Sequence, residues 1–209
     1  MIHRLTKEEI EQLPLVQFND RIVLVDTADK LDRAIAEMRQ ERILGFDTET
    51  RPSFKRGVTY GTALLQLATP FAAWLIRVGQ LGVNASLAEL LADESILKVG
   101  VAIRDDIKGL QRCRRFVPGN FIDLQDLARD AGYEDFSLKK MAAHVMGVRI
   151  SKRQRLSNWE APTLTQAQQR YAATDAWVSL MIYKGMMNGI KEHDRVREIL
   201  SRMAQNETE

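Results

Sequence analysis

The stretch 42–49 (RILGFDTE) limits the possible folds more than any other part of the chain. Ile43, Leu44 and Phe46 make it apolar on both faces, which suits a strand in the middle of a covered sheet. It then ends abruptly in Asp47, Thr48, Glu49 and Thr50. Alternate side chains of an extended strand share a face, so Asp47 and Glu49 point the same way at the end of a segment that otherwise wants burial. Two adjacent carboxylates repel, and burying unpaired charge is costly. Either both face water or a cation compensates them, and a divalent ion does this with the oxygen ligands it prefers. A lone D-x-E tripeptide is commonplace and reads first as a solvated strand end, so further acids are needed.

The surrounding pattern supplies the sheet. Residues 21–26 (RIVLVD) read as a strand and 27–40 as an amphipathic helix with Leu31, Ala34, Ile35 and Met38 at helical spacing. Residues 62–68 and 72–78 read as two strands joined by a hairpin at Thr69, Pro70 and Phe71, so the sheet starts antiparallel. Then strand and helix alternate: a short helix at 87–91, a buried strand at 96–102 (ILKVGVA) and a helix at 104–115. A last strand is expected at 121–124, with helices near 138–146 and 164–187. The expected architecture is α/β, a mixed five- or six-stranded sheet flanked by helices. It forms one domain over 1–209, with a core of about 22–187, an N-terminal extension 1–21 and a helical tail 188–209 whose polar end, 204–209, frays.

At 209 residues, 45% hydrophobic, the chain can bury a core without disulfides, and its one cysteine, Cys113, cannot bridge internally. That composition points to a reducing, cytoplasmic setting. The first 14 residues lack the apolar stretch of a signal peptide, and no segment reaches the roughly 20 apolar residues of a membrane span. No membrane partner is expected. A net charge of +2 makes overall charge a weak argument for a polyanionic partner, so local clusters must carry it.

Two further acids stand where apolar residues belong. Tyr171, Thr174, Asp175, Val178 and Ile182 share one helical face, which places a carboxylate inside the stripe that packs on the sheet. Tyr171 lies four positions earlier, offset by about 40 degrees, so phenol and carboxylate can address one site. A tyrosine–aspartate pair at a helix edge is the plainer alternative. Asp106 shares a face with Ile103, Ile107 and Leu110 while Asp105 turns to the flank, although either acid also suits a helix's first turn.

Three blocks, 46–49 (FDTE), 100–106 (GVAIRDD) and 171–175 (YAATD), with 155–159 (RLSNW), Leu164, Thr165 and Gln168 leading into the last, resemble the DEDD 3'-to-5' exonucleases. The likeness is to the tyrosine-bearing branch, which includes ribonuclease D and the Werner-syndrome exonuclease domain. His3, His144 and His193 all lie away from the last aspartate, where the histidine branch would need one. The resemblance implies a ribonuclease H-like fold and two divalent cations, Mg2+ or Mn2+. It further implies that Asp47, Glu49 and Asp175 hold one cation, that Asp47 and Asp106 hold the other, and that Tyr171 orients the attacking water. The implied partner is DNA or RNA with a free 3' end, released as nucleoside 5'-monophosphates.

Substrate contacts are expected from Thr48 and Thr50 beside the acids, and from Arg51, Phe54, Lys55 and Arg56 in the following loop. A second basic cluster holds Arg149, Lys152, Arg153 and Arg155. Trp159 either stacks on a base or packs as a structural anchor, and any charge run can be a solvated loop. The competing functions are a catalytically idle nucleic-acid-binding module of the same fold and a hydrolase of small phosphate esters or nucleotides.

Overall fold

Strand β3 (Thr62–Ala68) is buried at every position, and its side chains divide between two cores. Leu65 and Leu67 belong to one hydrophobic cluster with residues of helices α2 (Ala28–Met38) and α4 (Ala85–Ala92), whereas Leu64 and Ala68 cluster with Ala172, Ala173 and Ala176 of the long helix α8 (Gln166–Ile190). A strand apolar on both faces is thus sandwiched between helical layers, as its composition demands. The computed structural model describes residues 5–55, 57–132 and 136–190. Residues 191–209, with most of the expected tail and its fraying end, and Arg56 lie outside them, as do His3 and His193.

The six strands are β1 (Arg21–Val25), β2 (Ile43–Thr50), β3, β4 (Ala72–Ile76), β5 (Leu97–Gly100) and β6 (Phe121–Asp123). They form one mixed sheet in the order β1-β4-β3-β2-β5-β6. β3 is antiparallel to both its neighbours, β2 and β4, while β1 joins β4, and β5 and β6 extend from β2, in parallel. The hairpin expected at 69–71 is present: the Thr69 hydroxyl accepts from the N–H of Phe71 (3.3 Å) and Ala72 (3.0 Å).

The remaining helices are α1 (Lys7–Gln12), α3 (Val78–Leu81), α5 (Arg104–Cys113), α6 (Leu124–Asp130) and α7 (Leu138–Met146). Several differ from expectation. The strand expected over 72–78 stops at Ile76, because the buried Arg77 guanidinium turns to donate to the carbonyls of Ala161 (2.6 Å) and Pro162 (3.4 Å). The strand over 96–102 ends at Gly100, where the chain turns with Ala102 at φ 58°. Its C-terminal residues instead feed α5, and that turn decides where Asp106 goes.

Tight backbone approach fixes α8 on the sheet. A Cβ on Gly45 would lie 2.0 Å from the Ala176 carbonyl oxygen, so only glycine lets the helix settle there. Among the described residues no helix is long and apolar enough to cross a membrane.

Candidate active site

β2 runs past its neighbour on one side. β5 pairs with it only as far as Gly45, so the following residues are bordered by β3 alone and open at the sheet's end. The pleat turns Asp47 and Glu49 to the face that α8 covers, the face of Gly45. Asp175 immediately precedes Ala176, the residue resting on Gly45, and is 6% exposed. Carboxylate oxygens of Asp47, Glu49 and Asp175 consequently all lie within 4.8 Å of one another. The Tyr171 hydroxyl, one turn earlier, lies near enough to Asp175 to favour its ionised form.

The fourth acid approaches from elsewhere. Asp106 stands outside the three-acid cluster, and its Oδ1 accepts a hydrogen bond from the Thr48 hydroxyl, whose side chain alternates to the opposite face from Asp47 and Glu49. Asp106 still lies close enough for its charge to raise Asp47 and Glu49. The structure therefore brings three of the four expected carboxylates together and sets Asp106 beside them across the strand end. Thr48, expected as a substrate contact, is engaged by Asp106.

Electrostatics follow from this crowding. Burial, then the charges of Asp175 and Asp106, hold the Asp47 carboxyl well above the usual range. Burial and three neighbouring acids push Glu49 up to about 10, with Arg155 pulling the other way. Burial raises Asp175 to about 7 against the nearby Tyr171 hydroxyl and the charge of Lys152, and it raises Asp106 to about 6 against the bond from Thr48. Burial and the neighbouring carboxylates also raise Tyr171, so its phenol keeps its proton. Among the described residues no ion pair reaches any of the four acids. Converging, part-buried carboxylates that no ion pair satisfies are what a hard divalent ion requires, so the donor set fits such an ion.

Asp47, Glu49 and Asp175 open into a cleft of about 240 Å³ that is also lined by Lys139, Lys152 and Arg155. Arg155 thus lies where a substrate contact was expected, and Lys152 and Lys139 join it. Other expected contacts fare differently. Trp159 is wholly buried and packs near Tyr171, ring centroids 6.0 Å apart, so it is an anchor beneath the tyrosine and has no face for a base. Arg51 is tied to Glu160 (3.3 Å) and lies over the Tyr60 ring (4.8 Å). Phe54 is 83% exposed in the loop beyond Thr50, with Lys55 beside it. Thr50 is exposed past a register shift that ends regular pairing.

Two residues went unread in the sequence. Gln66 is the direct cross-strand partner of Asp47 and is fully buried, with neither amide atom hydrogen-bonded to protein. A polar residue in the middle of LLQLA was the available signal. Asp123 accepts from the N–H groups of Ala102 (2.9 Å), Ile103 (3.1 Å) and Gln125 (3.0 Å). It clasps the left-handed turn that aims α5, and so Asp106, at the strand end.

A mixed sheet with an acidic cage at the end of its central strand, covered by a helix that delivers a tyrosine and an aspartate, is the architecture of a ribonuclease H-like exonuclease domain. Comparison with known proteins agrees. A family model described as 3'-5' exonuclease matches residues 22–191, and the chain belongs to that family. A 3'-5' exonuclease of Arabidopsis thaliana is 30% identical over 196 residues, 86% of this chain and 68% of that protein. The bifunctional 3'-5' exonuclease/ATP-dependent helicase WRN of Mus musculus is 34% identical over 152 residues, 70% of this chain and 11% of that one. The crystal structure of Escherichia coli RNase D, an exoribonuclease involved in structured RNA processing, matches with a TM-score of 0.71 at 28% identity, covering 81% of this chain and 44% of that one. This chain spans about half or less of the length of several relatives it matches. Members of the family act on nucleic acid and use divalent metals.

Proposed function

We propose that this chain hydrolyses the terminal phosphodiester of a DNA or RNA strand from its free 3' end and releases nucleoside 5'-monophosphates. One observation carries the reading: Asp47, Glu49 and Asp175 converge within 4.8 Å, and among the described residues none of them is held in an ion pair. Asp47, Glu49 and Asp175 would hold one divalent ion, and Asp106, with only Oδ1 engaged, would join Asp47 at a second. Mg2+ or Mn2+ bound there would acidify the attacking water and neutralise the phosphate and leaving oxygen. Tyr171 orients that water as a hydrogen-bond donor and does not act as the base, because its environment keeps the phenol protonated. Lys152 and Arg155 offer positive charge to the scissile phosphate from the lining of the same cleft. The exposed, unbridged Cys113 thiol supports a reducing, cytoplasmic setting.

The test is cleavage of a 5'-labelled oligonucleotide in Mg2+ or Mn2+. A stepwise ladder shrinking from the 3' end is expected, with chelator abolishing it. Asp47→Ala and Asp175→Ala should lose nearly all activity while remaining folded, and equal activity in either variant would refute the site. Parallel DNA, RNA, blunt and recessed substrates identify the preferred strand, and cleavage confined to mononucleotide esters would favour the small-ester hydrolase instead.

A further inference from the structure

Behind Tyr171 lies a second groove of about 540 Å³, which shares Tyr171 and Ser151 with the acidic cleft. Arg149, Arg153 and Arg170 line it, together with glutamine side chains and no carboxylate. Elsewhere arginines such as Arg21, Arg39 and Arg104 pair with acids. Among the described residues these three form no ion pair, and their one side-chain hydrogen bond runs from Arg149 Nε to the Leu13 carbonyl at 2.9 Å. The segment 149–155 divides the two hollows: Lys152 and Arg155 face the acids, while Arg149 and Arg153 face the groove.

The far wall is Leu15, Val16 and Gln17. It is fastened by the Val16 N–H to the Arg149 carbonyl (2.9 Å), the Arg149 N–H to the Pro14 carbonyl (2.9 Å) and the Phe18 N–H to Thr174 Oγ1 (3.0 Å). Those residues precede 22–191, the region that matches the family, so part of this groove is built by a segment outside it. Unpaired guanidiniums suit phosphate oxygens, and the volume falls in the range of about 300–1000 Å³ that takes nucleotide-sized ligands.

We propose that this groove is a second nucleic-acid subsite, binding backbone phosphates of the strand whose 3' end occupies the acidic cleft. It rests on the exonuclease reading for the presence of that strand. A strand passing from cleft to groove crosses Tyr171 and Ser151, and the arginines then hold it in register for each cut.

The experiment measures binding by fluorescence anisotropy in chelator, where no cleavage is needed. A dinucleotide is compared with a single strand long enough to run past the groove. Arg153→Glu and Arg170→Glu together should weaken the long strand by roughly tenfold or more and the dinucleotide far less, and Arg153→Gln with Arg170→Gln should act in the same direction. The dependence of log affinity on log salt should flatten by about 0.7 for each phosphate that the variant no longer neutralises. Arg33→Glu with Arg114→Glu, both exposed and lining neither hollow, makes the same change of charge as the control and should change neither. The proposal is overturned if the control weakens binding as much, if the dinucleotide suffers equally, or if a free nucleoside 5'-monophosphate loses as much affinity as the long strand. Cleavage by the wild-type protein with normal binding by the variants removes the groove and leaves the exonuclease reading. Arginine-dependent binding without any cleavage does the reverse.

Discussion

Gly45→Ala tests whether one backbone contact assembles the active site. The added methyl would sit 2.0 Å from the Ala176 carbonyl oxygen, 2.9 Å from its carbon and 3.1 Å from Leu180 Cβ. Comfortable contact lies near about 3.5 Å, so strand and helix must part by roughly 1.5 Å. No flexible side chain can absorb this, because two of the three contacts are backbone. Asp175 is covalently next to Ala176 and moves with it. A divalent ion holds its oxygens at about 2.0–2.6 Å, so a shift of that size removes one ligand from a cage whose oxygens now lie within 4.8 Å of one another. Misplacement by about 1 Å costs on the order of a hundredfold in rate. Overpacking should also cost about 1–3 kcal/mol, a fall in Tm of roughly 2–12 °C for a chain of this size. The assay pairs kcat across a Mg2+ titration with thermal melts followed by circular dichroism. Gly61→Ala, where an added Cβ meets nothing within 4 Å, is the control. Wild-type melting and cleavage in Gly45→Ala would show that this contact does not position Asp175.

In chelator, stability should fall as pH rises. Asp106, Asp175 and Glu49 have native pKa values raised to about 6, 7 and 10, so the folded state binds more protons than the unfolded chain; stability is fully present below the ordinary carboxylate pKa and is lost as pH climbs through those values. Melts at pH of about 5 and about 8 should show the loss, and excess Mg2+ should offset it at the higher pH; a metal-free Tm that rises with pH contradicts the buried cage. Asp123→Ala leaves the Ala102, Ile103 and Gln125 N–H groups without their acceptor and should cost about 1–3 kcal/mol. Because the turn aims Asp106, kcat should fall more than KM rises, and steady-state kinetics showing only a KM change would deny Asp123 this positioning role.

What was legible in the sequence was local, and what was hidden was set by docking. β2 and β3 could be read because burial on both faces leaves runs without polar alternation, bounded by turn residues. Asp47 with Glu49, and Tyr171 with Asp175, could be read because periods of 2 and 3.6 place them without knowledge of the rest. Helix α1 was missed despite its capping box, in which Thr6 accepts from the Glu9 N–H and Glu9 reciprocates. Helix α6 was missed because Asp123 ends β6 and caps the helix at once, leaving no break. Contacts between distant segments carried no local signal. Arg51 meets Glu160, 109 positions away, Gln66 meets Asp47 only through strand register, and Lys139 reaches the cleft only because α7 packs beside α8. Asp106 shows the limit most clearly. Helical phase gives the face of α5 on which it lies, yet where that face lands depends on Ala102 entering the left-handed region and on Asp123 holding it there. The acid is consequently handed to Thr48 instead of the three-acid cluster, so its reach to a bound ion is governed by a turn and a hydroxyl on the other side of the strand.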